Sequence, residues 1–157
     1  MKKGIILLIV MVAFLGRHAN SHCEVPCGIY DDQLRANLIW EHFVTIEKAM
    51  KQIEALSAEE NPNYNQIVRW VNTKEEHANK IQEIVSQYFL HQRVKIKEKG
   101  EEGYDKYIEQ LTTCHQILVF AMKTKQSTDL ASVESGRESL AKFEISYFGK
   151  KLDHHTH

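Results

Sequence analysis

Ile67-Val68-Arg69-Trp70-Val71-Asn72-Thr73-Lys74-Glu75-Glu76-His77-Ala78-Asn79-Lys80-Ile81-Gln82-Glu83-Ile84-Val85-Ser86-Gln87-Tyr88-Phe89 is the stretch that decides the fold. Ile67, Val68, Val71, Ala78, Ile81, Ile84, Val85, Tyr88 and Phe89 recur at helical spacing, with polar residues between them. Such a stripe gives a long helix one face to bury. Upstream, Glu60-Asn61-Pro62-Asn63 reads as a turn, preceded by a helix that ends near Leu56. That first helix carries Leu34, Leu38, Ile39, Ile46, Met50 and Ile53 on one face, and Asp31-Asp32 supply its N-cap chemistry. Downstream, the charged run Lys95 to Glu102, with Gly100 and Gly103, connects to a third helix bearing Tyr107, Ile108, Leu111, Cys114, Leu118, Ala121 and Met122. A fourth helix opens with Ser127 or Thr128 as cap and runs through Leu130, Val133, Leu140, Phe143 and Tyr147, with a place to kink or split at Gly136-Arg137. No strand-like alternation, internal repeat or low-complexity segment interrupts this pattern. Four amphipathic helices with short connections predict an all-α protein, an antiparallel up-and-down four-helix bundle over about residues 31–148.

The start of the chain is of a different kind. Lys2 and Lys3, the apolar run Ile5 to Leu15, and the small residues Ala19 and Ser21 are the three parts of a secretory signal. The apolar run is about half of the roughly 20 residues a membrane-spanning helix needs, so a retained anchor is the weaker reading. The reading is a cleaved signal peptide over 1–21, cut after Ser21 by signal peptidase. It gives an exported protein, periplasmic or secreted, with no membrane association after cleavage. The remaining residues 22–157 fit one domain. Removing the three basic residues of the leader from the 20 in the chain leaves 17 against 21 acidic, a net of −4. No basic block marks a nucleic-acid or lipid surface. Residues 149–157 form a polar tail, and His154-His155-Thr156-His157 reads as a disordered end rather than a chelator.

A bundle of this kind hosts many functions. The usual bundle sites are missing: no His has a Glu three residues before it, and there is no His-Glu-x-x-His and no Cys-x-x-Cys-His. The helical His42, His77, His91 and His115 do not pair at ligand spacing and read as surface or core-edge residues. The informative segment is His22-Cys23-Glu24-Val25-Pro26-Cys27-Gly28-Ile29-Tyr30. Cutting after Ser21 gathers an imidazole, a free α-amine, two thiols and a peptide N–H within six residues. An α-amine titrates near pH 7.7–8.0, so about a tenth or more is neutral and able to ligate at physiological pH. Amine, deprotonated amide and two thiolates suit a square plane, which favours divalent nickel or copper over tetrahedral zinc. Pro26 fixes its own φ and Gly28 lets the chain turn, which helps Cys27 face Cys23. The competing reading is a Cys23–Cys27 disulfide closing a small loop in an oxidising compartment.

This string resembles the active-site hook of nickel superoxide dismutase, His-Cys-x-x-Pro-Cys-Gly-x-Tyr at a processed N-terminus. Every fixed position is filled, by His22, Cys23, Pro26, Cys27, Gly28 and Tyr30. The resemblance tips the balance from disulfide to metal hook. It implies a small four-helix protein that assembles as a homohexamer with one nickel ion per subunit. It implies dismutation of superoxide to oxygen and hydrogen peroxide by Ni(II)/Ni(III) cycling. The metal ligands would be His22 (α-amine, and imidazole as axial ligand), Cys23 (amide nitrogen and thiolate) and Cys27 (thiolate). Tyr30 would stand beside the open axial face to position substrate or water. Bacterial relatives hold the axial imidazole with a Glu and an Arg; the first helix here has no clear match for the Glu, and His77 stands near where the Arg would fall. Many relatives also have a short leader removed in the cytoplasm, unlike the export signal here. Cys114 matches nothing in the hook and reads as a core thiol. A non-catalytic nickel or copper carrier using the same ligands is the alternative function.

Overall fold

The computed structural model describes residues 26–154, and among them the only regular structure is helical. The helices are α1 (Asp32–Ser57), α2 (Tyr64–Glu83), which continues into a π-helical segment Ile84–Arg93, α3 (Tyr104–Gln126) and α4 (Ala131–Phe148). Each helix packs on its sequence neighbours, and α1 closes the ring against α4. Cross-helix contacts show that neighbours run antiparallel. Lys74 meets the carbonyl of Thr124 while Gln82 meets that of Leu118. Asp32 meets Tyr147 while Glu47 meets Arg137. Among the described residues no helix is long and apolar enough to cross a membrane. The leader, His22 and Cys23 lie outside the described residues.

Local chemistry sets the helix ends. Asp31 caps α1 by accepting from Leu34 N at 2.9 Å, and Asn63 caps α2 by accepting from Gln66 N at 3.2 Å. Each satisfies one of the N–H groups a first turn leaves open. The fourth helix starts later than its sequence suggests. Ser127 and Thr128 stay ahead of it; Ser127 Oγ accepts from Asp129 N, and Asp129 Oδ1 accepts from Ala131 N. At the end of α3, buried Lys74 donates to the carbonyls of Thr124 and Lys125, both at 2.7 Å. A cation there satisfies open carbonyls and opposes the negative end of the helix dipole.

The core is built from Ile39, Phe43, Ile46 and Met50 of α1, Ile81 of α2, Val85 and Phe89 of the π-helical segment, Ile117 of α3, and Val133, Leu140 and Phe143 of α4. Leu34, Val68, Ile108 and Met122, all part of the apolar stripes in the sequence, are exposed instead. On α3 the buried row includes Gln110, Thr113, Cys114, Ile117, Ala121 and Thr124. The two threonines fit because their hydroxyls bond to carbonyls of their own helix, Thr113 to Glu109 and Thr124 to Ala121. A satisfied hydroxyl no longer bars burial. Cys114 is buried as its position suggests, and burial pushes its thiol up to about 12.

Helix α4 neither kinks nor splits at Gly136-Arg137. Gly136 instead makes room for Phe43 of α1: a Cβ there would fall within 2.5 Å of Phe43 Cε1. The tail differs from expectation as well. Leu152 is buried, its N–H donates to Glu144 at 3.1 Å, and His154 Nε2 lies 2.8 Å from the other oxygen of the same carboxylate. The His154 ring stacks on Trp40 at 4.5 Å. A disordered polar end therefore does not describe the tail as far as His154, because the wholly buried Glu144 needs partners that only these residues bring. Residues 155–157 lie outside the described residues. We expect Gly136→Ala to destabilise the protein by about 1–3 kcal/mol through overpacking against Phe43. Thermal unfolding of the variant, alone and with Phe43→Leu, checks this; the second change should recover much of the loss.

Candidate metal centre

The chain divides into two units at Tyr30/Asp31. Of the first unit, residues 26–30 are described. They form a bend at Pro26, Cys27 and Gly28, with Gly28 at φ +81°, a left-handed conformation that costs little without a Cβ. Cys27 is exposed, as are Ile29 and Tyr30. His22 and Cys23, the other two expected ligands, lie outside the described residues, as does the pairing of Cys23 with Cys27. Among the described residues, no group of three or more His, Cys, Asp or Glu side chains stands together as a metal site.

The second unit starts with a cluster that sequence reading missed. Asp32, two residues after Tyr30, accepts four hydrogen bonds. Arg93 donates through Nε to Oδ1 and through Nη2 to Oδ2, both at 2.7 Å. Tyr88 donates to Oδ1 at 2.7 Å and Tyr147 to Oδ2 at 2.8 Å. The first turn of α1 is thereby tied to the π-helical segment and to the last turn of α4. Burial raises the pKa of Asp32, but the bonds from Arg93, Tyr88 and Tyr147 outweigh it and hold the carboxyl below its ordinary 3.8. Burial and the Asp32 carboxylate together push Tyr147 up to about 12. Both tyrosines therefore stay protonated donors at neutral pH. The signal for this cluster was in the sequence: of two adjacent acids at a helix start, only Asp31 was needed as the cap.

The π-helical segment serves the same junction. Val94 N bonds to Phe89 O at 2.8 Å, five residues back. This wider turn carries Arg93 to Asp32 while Val85, Tyr88 and Phe89 stay buried. Segments of this kind recur at functional sites. Phe89, Phe143 and Tyr147 pack ring on ring beneath the junction, with centroids 4.8 to 5.6 Å apart.

Among the helical histidines, His42 and His77 come together across α1 and α2, Nδ1 to Nδ1 at 3.1 Å. Being 35 residues apart, they share no ligand spacing in the sequence. The expected link from His77 to the imidazole of His22 lies outside the described residues. A family model for nickel-containing superoxide dismutase matches residues 17–151, a span that takes in the nine-residue string and the whole bundle. No curated protein and no solved structure gives a significant match.

Replacing the Asp32 carboxylate with an amide should cost more than an ordinary surface ion pair, because its side chain is only 18% exposed, the charge facing Arg93 is lost and one of the two accepting oxygens becomes a donor. We expect Asp32→Asn to lower stability at pH 7 by about 2–4 kcal/mol. A depressed folded pKa gives stabilisation that is present above the unfolded value and lost as pH falls through the folded one. The gap between wild type and variant should therefore close as the pH drops below 3.8, as urea unfolding across pH will show.

Proposed function

The chain belongs to the nickel-containing superoxide dismutase family, and from that premise we propose that residues 22–30 are its nickel hook. As a nickel-dependent superoxide dismutase it is an oxidoreductase acting on superoxide. The observation that carries the proposal is the extent of the family match, which begins ahead of His22 and runs through the bundle.

In this reading a signal peptide, residues 1–21, is removed after Ser21 by signal peptidase, and the mature enzyme is exported, periplasmic or secreted. It comprises residues 22–157 and works as a homohexamer with one nickel ion per subunit. His22, Cys23 and Cys27 would hold the metal, and Tyr30 would position superoxide or water beside it. The donor set fits the ion: two soft thiolates, an amine and an amidate favour a square plane and lower the potential of its higher oxidation state. Nickel bound there would supply a Ni(II)/Ni(III) couple that superoxide can both reduce and oxidise.

The residues have separable tasks. The His22 α-amine must be free and neutral to ligate, which makes the cut after Ser21 part of the chemistry. Cys27, the described ligand, is exposed. Gly28, already left-handed, lets the chain turn immediately after that ligand. The Asp32 cluster holds the first turn of α1, and only Asp31 separates it from Tyr30 in the sequence.

The decisive experiment compares nickel-loaded protein starting at His22 with the same protein carrying Ser21 in front. We expect superoxide dismutation only with the free His22 amine; equal activity in both would remove the amine from the ligand set. Cys23→Ser and Cys27→Ser should each abolish turnover, checked by pulse radiolysis alongside nickel content. Tight nickel binding without turnover in the correctly processed wild type would point to a metal carrier.

A further inference from the structure

His42 and His77 are a pair of imidazoles in the described bundle that meet without being absorbed by the function above. Their Nδ1 atoms stand 3.1 Å apart and their rings lie edge to face at 83°. Both are half-buried, on neighbouring antiparallel helices whose backbones are fixed by the core. We propose that His42 and His77 form a binding site for a divalent transition-metal ion such as zinc, outside the hook sequence, with water completing its coordination.

Three observations support the site. First, the spacing fits. Metal–nitrogen bonds of about 2.0–2.1 Å place two nitrogens about 3.4 Å apart in a tetrahedron and about 2.9 Å apart at adjacent corners of a square. The observed 3.1 Å lies between these, so a small rotation of each ring aims both lone pairs at one ion. Second, both imidazoles are held in the neutral, ligating form. Burial lowers the pKa of each, and for His42 the facing His77 and Lys80 add to the effect, bringing it to about 4. As a bare hydrogen bond, the contact needs a proton on one Nδ1; a metal ion can take the place of that proton. Third, carboxylates stand by. Glu76 acts electrostatically on both rings and Glu41 on His77, opposing Lys80. Glu76 now pairs with Lys80 at 2.6 Å, an exposed bond that is readily exchanged.

With two protein nitrogens and no group of three ligands among the described residues, the site belongs to an exchangeable, micromolar class rather than a structural one. An ion held there would link α1 to α2 and raise the thermal stability of the bundle.

The test titrates zinc into nickel-loaded mature protein by calorimetry, with nickel content measured before and after. We expect one zinc per chain with a Kd of order micromolar, weakening as pH falls because protons compete for the imidazoles. His42→Gln and His77→Gln should each weaken binding at least tenfold. Glutamine can still make a hydrogen bond across the helices, so a purely structural pair would tolerate it, and circular dichroism will confirm that both variants fold. Replacing His155 and His157 by Ala should leave the zinc site intact. No zinc beyond the nickel, binding that survives both Gln variants, or binding lost with the tail histidines would each overturn the proposal. Retained nickel in the Gln variants separates the failure of this site from a failure of the hook.

Discussion

One carboxylate holds the end of the bundle at which α1 begins. Asp32 gathers the guanidinium of Arg93 and the hydroxyls of Tyr88 and Tyr147, and so ties α1, the π-helical segment and α4 at a single point. A charge this little exposed is stable only while its donors stay in place, so each of these elements constrains the others. The wider π turn makes the arrangement possible, because it delivers Arg93 without withdrawing Phe89 from the core. The first turn of α1, next in sequence after Tyr30, is thus held by three side chains from other elements.

At other points too, a polar group is used as structure rather than left to solvent. Lys74 closes α3, Glu144 captures the chain at Leu152 and His154, and Arg137 bridges to Glu47 while stacking 5.0 Å over Trp40. These contacts account for charged and polar residues on faces that a purely apolar stripe would not predict. His42 and His77, too, meet through polar atoms across two helices.

Most of the fold was legible in the sequence because helical periodicity is a local property. Leu38 to Met50 and Ile81 to Phe89 announce buried faces wherever the chain eventually places them. The first helix ends within a residue of the expected Leu56, since Pro62 and its neighbours break the pattern locally. The start of α4 was less legible: Ser127, Thr128 and Asp129 all carry capping chemistry, and which one acts depends on how the α3–α4 connection is held by Lys74. The donors of His22, Cys23 and Cys27 are of a different kind, groups brought together by adjacency alone; that is why the chemistry expected of them can be argued ahead of any folded geometry.

By itself, then, the sequence determined four helices, their approximate limits, the family and the donor types gathered between His22 and Cys27, all of which depend on residues a few positions apart. Only tertiary structure decided which of two adjacent aspartates would be the hub, that Gly136 serves close packing rather than a kink, and that His154 docks. It also decided that His42 would meet His77, 35 residues away, and that Asp32 would meet Tyr147, 115 residues away. The physical reason is the range of the interaction. Periodicity and capping are written within one or two turns of a helix, whereas a shared proton, a shared carboxylate or a missing Cβ acquires meaning only when the packed core sets two distant helices side by side.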